Sequence, residues 1–155
     1  MNSKIRIIVT VGVSIALVCV FALLHEATRT KVPEHMMEVD DGENTCYVDV
    51  DELTLTTVCG QVVNGKGKIK DVEGQGILLR DVLSTCHVRD YLTIRVISDD
   101  EYAAELSKEE VENSDIAYLL IEGGEARLYV FGDSNSKRNV ANVKRICIKQ
   151  PASAQ

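Results

Sequence analysis

Apolar and polar positions alternate with two different periods along this chain. From Glu73 to Val88, EGQGILLRDVLSTCHV places Ile77, Leu78, Leu79, Val82 and Leu83 at helical spacing after Gly74 and Gly76. Arg80, Asp81 and Ser84 take the opposite side. This stretch predicts a short amphipathic helix that follows a glycine pair and packs against a sheet. Around it the period is two. CYVDVDELTLTTVCGQVV, from Cys46, alternates at Leu53, Leu55 and Val58 and is rich in Thr and Val. Asn64-Gly65 followed by Gly67 signals a tight reversal, so 53–72 predicts a β-hairpin. Strands are expected at Leu92–Ser98, at Tyr102–Leu106, in IAYLLIEGG, in ARLYVFG and in VKRICIK. Ser107, with Glu110 three residues on, predicts a capped helical turn. The total is about six or seven strands and one or two short helices, with no βαβ repeat. That pattern predicts an α+β fold with a mixed, mainly antiparallel sheet.

The N-terminal pattern is of another kind. Ile7 to Leu24 is eighteen residues without a charge, preceded by Lys4 and Arg6. At helical rise it spans about 27 Å, close to the hydrocarbon thickness of a bilayer. A cleaved signal peptide is the alternative, but the run is long for one and His25-Glu26 follows it directly. The expected organisation is a short tail at 1–6, a transmembrane anchor at 7–24 and a linker at 25–45. A domain at 46–150 and a tail at 151–155 complete it. Basic groups flank both ends of the anchor and bias its orientation only slightly. The simplest arrangement leaves a short tail inside and exports the domain, as a single-pass protein of the cell membrane.

Charge narrows the range of partners. All 24 acidic residues follow the anchor and only two of the 17 lysines and arginines precede it. The remainder carries 15 basic against 24 acidic groups, a net charge of −9. Such a surface repels nucleic acid and anionic headgroups, so no nucleic-acid partner is expected. Four cysteines lie beyond the anchor: Cys46, Cys59, Cys86 and Cys147. An even number in an exported domain permits two disulfides, in three connectivities. Buried thiols and a metal site are the alternatives, although no close cysteine pair offers usual zinc spacing.

From about Leu53 to Ile148 the order of elements resembles the sulfite-oxidase-type molybdopterin-binding domain. The residues carrying the resemblance are GILLRDVL from Gly76, the turn in ISDDEYAAELSKEEV and the Ala117-Tyr118 step. The Arg-led strand Arg127–Gly132 and the closing NVANVKRICI complete the series. The chain departs from the family at Ala141-Asn142, where the family carries Lys-Trp, and at Glu122–Glu125, which replaces a longer loop. The resemblance implies a molybdopterin cofactor, with Cys59 in the position of the molybdenum-ligating thiolate. It also makes the polar loop DSNSKRN face the cofactor, with Ser136, Lys137, Arg138 and Asn139 as phosphate donors. A solvated turn is the other reading of that loop.

No Ser-His-Asp spacing, phosphate-cradling glycine loop or carboxylate dyad marks a catalytic residue. His87 beside Cys86 resembles a base next to a nucleophile, but adjacent helical residues point apart. The expectation is a membrane-anchored, extracytoplasmic ligand-binding or interaction module with a reduced cofactor pocket. One alternative is a molybdopterin-dependent redox enzyme or subunit, with an envelope redox partner. The other is a structural envelope protein.

Overall fold

A computed structural model of the chain describes residues 11–21, 32 and 35–151. The chain divides into two units, Met1–Lys31 and Val32–Gln155. In the first, 11–21 is helical with exposed side chains. No described helix is long and apolar enough to cross a membrane. The anchor expected at 7–24 extends outside the described residues at both ends, and the expected tail at 1–6 lies wholly outside them.

The second unit holds nine described strands in two sheets. One sheet has the order β2-β1-β9-β5-β6. Its strands are β1 (Met36–Asp40), β2 (Thr45–Asp49), β5 (Thr93–Ser98), β6 (Ala103–Ser107) and β9 (Val143–Lys149). The other has the order β3-β4-β7-β8, from β3 (Thr56–Val63), β4 (Ile69–Leu78), β7 (Ala117–Glu122) and β8 (Glu125–Val130). Every strand pair is antiparallel except β1 with β9. Two short helices, α1 (Leu79–Thr85) and α2 (Lys108–Glu112), complete the α+β fold. The main core joins both sheets to α1: Met37, Val39, Ile94, Val96, Leu106 and Ile146 from one sheet meet Leu119, Leu128 and Val130 from the other, with Leu79, Val82 and Leu83. A second cluster of Val58, Val62, Val72, Leu120 and Tyr129 lies on the opposite face of the four-stranded sheet, as strand alternation requires.

Two expectations are corrected here. Part of the segment expected as a linker, 25–45, is ordered structure: β1 lies between β2 and β9, with Met37 and Val39 fully buried. The EVDDGEN run is the β1–β2 turn, where Asp41 Oδ1 accepts from the amides of Glu43 (2.9 Å) and Asn44 (2.6 Å). Glu38 and Asp40, on the other side of β1, masked the alternation. The glycine pair also does not punctuate. Gly74 and Gly76 lie inside β4, which continues to Leu78, and α1 begins only at Leu79. A Cβ on Gly76 would stand 2.8 Å from the Leu119 carbonyl oxygen, so the ladder to β7 needs glycine here. Ladder pairing at Gly76, Ile77 and Leu78 overrides their helical spacing. The remaining reversals fall where turn residues place them, and α2 carries a complete Ser107–Glu110 capping box.

Candidate functional site

Cys59 sits mid-strand in β3, in register with Glu73 of β4. Alternation sends Val58 and Val62 into the second apolar cluster and leaves Cys59 on the other face of the hairpin as an exposed, free thiol. Its neighbours on that face form polar cross-strand pairs. Gln61 Nε2 donates to Asp71 Oδ1 (2.8 Å) and Gln75 Nε2 to Thr57 Oγ1 (3.0 Å). On the face of the second cluster the Phe131 ring lies over Gly60, where a Cβ would come within 2.5 Å of it. Cys59 thus belongs to a hydrated hairpin surface beside a carboxylate. Thiolate metal ligands are favoured by an electropositive setting instead.

The loop after β8 is organised by Arg138. Its Nε donates to Asp133 Oδ2 (2.8 Å), one terminal nitrogen pairs with Asp133 Oδ1 and the other with Glu110 Oε1 of α2. The hydrogen bonds to Asp133 and then Glu110 raise the guanidinium pKa further. Burial pushes the Glu110 carboxyl up, but hydrogen bonds from Arg138 and Ser107 outweigh it and bring the carboxyl below its ordinary value. Asn139 is a structural link: its Oδ1 accepts from the Val130 amide (3.3 Å) and its Nδ2 donates to the Val63 carbonyl (3.5 Å). Lys137 contributes its backbone, with its amide on Asn135 Oδ1 (2.9 Å) and its carbonyl accepting from Tyr102 Oη (2.6 Å). The Ser136 carbonyl accepts from the Asn139 amide (3.1 Å). The four residues therefore stand together as a braced loop, with the Arg138 donors directed at carboxylates of this chain. No contact joins the loop to Cys59 among the described hydrogen bonds and ion pairs; its link to β3 is at Val63.

The remaining cysteines separate clearly. Cys46 of β2 and Cys86, just after α1, form a disulfide across 40 residues, with Cα atoms 5.9 Å apart. His87 is exposed and left-handed (φ 59°), and its amide donates to the Ser84 carbonyl (3.0 Å) to end α1. The disulfide takes Cys86 out of any nucleophile–base pairing. Cys147 in β9 is a free, half-buried thiol between Asp40 and Arg95 in register, and burial pushes its pKa up. Among the described residues, no group of three or more His, Cys, Asp or Glu side chains is placed to hold a metal ion.

Two features escaped the sequence reading. Glu38 on β1 is 7% exposed and lies in register with Arg145 of β9. Its Oε1 is 3.0 Å from Arg145 Nε, misaligned for a hydrogen bond, and its Oε2 has no hydrogen-bond partner among the described residues. The signal was available only with the β1–β9 pairing in hand. The second is the basic tip of the β3–β4 hairpin, in which Lys66, Lys68 and Lys70 are exposed next to Ile69 in sequence. Its residues are local in sequence, but the −9 charge of the whole domain obscured them. In comparison with known proteins, the chain matches no family model and none of the curated proteins.

Proposed function

We propose that this chain is a membrane-tethered, extracytoplasmic interaction module, in which a fold of the molybdopterin-binding-like kind serves display rather than redox catalysis. The observation that carries this reading is the state of the residues that catalysis would need. Cys59 lies on a hydrated strand face opposite Glu73, and Arg138 is held by Asp133 and Glu110. A binding domain needs a rigid scaffold with polar surfaces, and the braced loop and two sheets are suited to that. The Cys46–Cys86 disulfide supports an oxidising compartment, because such bonds persist outside the reducing cytosol. The apolar run Ile7–Leu24 supports the tether.

The test is chemical analysis of the full chain purified from membranes, for molybdenum by mass spectrometry and for pterin by fluorescence. The expected result is neither group at stoichiometric level. Stoichiometric molybdenum that is lost in Cys59→Ser would overturn the reading and establish a redox enzyme. Peptide mapping of the same sample without reductant is expected to find Cys46 linked to Cys86, with Cys59 alkylated.

A further inference from the structure

The outer end of the β3–β4 hairpin differs in charge from the rest of the domain. Lys66, Lys68, Ile69 and Lys70 are all exposed, Ile69 at 70%. Among the described residues none of the three lysines is in an ion pair. The nearest acid in sequence, Asp71, accepts a hydrogen bond from Gln61. The tip is a built turn rather than a loose loop. Asn64 Oδ1 accepts from the amides of Lys66 (2.9 Å) and Lys68 (3.1 Å). The Asn64 amide donates to the Lys68 carbonyl (2.8 Å), and Gly67, at φ 74°, donates to the Asn64 carbonyl (2.9 Å). It lies beyond the four-stranded ladder, because β4 pairs with β7 only over Gly76–Leu78 and with β3 alone from Ile69 to Gln75, and it is braced at Val63, whose carbonyl accepts from Asn139.

Three cations without an ion pair among the described residues flank one exposed aliphatic side chain along the tip. Ile69 and Lys70 lie on opposite faces of the ribbon, so a tip that enters edge-on presents both kinds of group to a bilayer interface. Ammonium groups meet lipid phosphates there, while an apolar side chain enters the headgroup boundary. We propose that the hairpin tip docks on an anionic bilayer surface through Lys66, Lys68 and Lys70, with Ile69 inserted between headgroups. An acidic protein would answer the lysines but leave Ile69 in a polar rim. The proposal rests on the membrane-tether reading, since a tether supplies the high local concentration that lets a small contact act. Elsewhere the acidic surface is repelled, so the contact would fix which side of the domain faces the membrane.

The test compares the full chain with its Lys66→Gln/Lys68→Gln/Lys70→Gln variant on vesicles of pure phosphatidylcholine and of phosphatidylcholine with phosphatidylglycerol. Flotation with the neutral vesicles in high salt reads the tether alone. Amide exchange over residues 64–70 reads the tip. The expected result is slowed exchange on the anionic vesicles only, reversed by salt and absent in the variant. Each lysine is worth about fivefold, and the three together about 100-fold, in surface occupancy. Equal exchange on both surfaces by a chain that floats would overturn the proposal. Equal protection by soluble polyglutamate would also overturn it, assigning the tip to an acidic protein. If the chain fails to float with neutral vesicles, the tether reading falls, and recruitment of wild type but not the variant by anionic vesicles still decides the tip.

Discussion

Arg138 shows how a residue suited to ligand binding can be committed to the fold. Its guanidinium joins the Asp133 turn to Glu110 of α2, which itself belongs to the Ser107 cap. Removing it in Arg138→Met takes from Asp133 and Glu110 the cation that they share. Side chains of Arg138 and Glu110 are about one-third exposed, so water screens part of the loss. The expected cost is about 1–2 kcal/mol in urea denaturation. Arg138→Lys is expected to recover only part of it, because an ammonium cannot form the fork. The Glu38–Arg145 pair should respond asymmetrically. Arg145→Met strands a carboxylate that is almost fully buried, whereas Glu38→Met leaves a guanidinium that can turn toward water. The first is expected to cost about 2–4 kcal/mol and the second distinctly less. Equal losses would show that the pair is held by packing and not by charge.

At the scale of elements, the glycines of the hairpin divide by what lies beside them. Gly76→Ala would press a methyl against the Leu119 carbonyl oxygen, while Gly65 has nothing within 4 Å. The expected loss is about 1–3 kcal/mol at Gly76 and within about 0.5 kcal/mol at Gly65, read from thermal or urea midpoints. The same stretch shows what the sequence could and could not tell. Leu79, Val82 and Leu83 were legible as a buried helical stripe, and Ser107–Glu110 as a cap, because both signals are local. Gly76, Ile77 and Leu78 were not, because their strand state comes from Leu120, Leu119 and Tyr118, forty or more residues away. β1 was hidden for a similar reason: Glu38 and Asp40 look solvated until Arg145 and Cys147 come alongside. Of the candidate site, the loop itself was legible, but not that Asp133 and Glu110 would occupy Arg138.

For the whole molecule, the disulfide and the acids set the limits of stability. Cys46–Cys86 closes 40 residues, and Cys46→Ser/Cys86→Ser is expected to lose about 3–4 kcal/mol, with a lower melting temperature that reductant does not change further. Glu110, Asp41 and Asp100 all have folded pKa values below their ordinary ones. For Glu110, hydrogen bonds from Arg138 and Ser107 exceed the opposing burial. For Asp41 the bonds come from the Asn44 and Glu43 amides, and for Asp100 from the Ser98 hydroxyl and the Tyr102 amide. Their contribution is therefore complete above the ordinary values of 3.8 and 4.5 and is lost as pH falls through the depressed ones. Melting temperature should hold steady down to that range and then drop, with a shallower drop in Arg138→Met. Cys147 acts at the other end: its raised thiol pKa makes stability fall as pH rises past the ordinary thiol value.

The placement of β1 has a mechanical consequence. It is the first described strand of its unit, yet it lies inside a sheet, antiparallel to β2 on one side and parallel to β9 on the other. Tension on the preceding segment enters β1 along its own axis. The ladder bonds run across that axis, so they resist together as a bundle in shear and do not open one after another like a zip. Pulled in single-molecule force spectroscopy from its N-terminal side, the domain should give way abruptly at one high force.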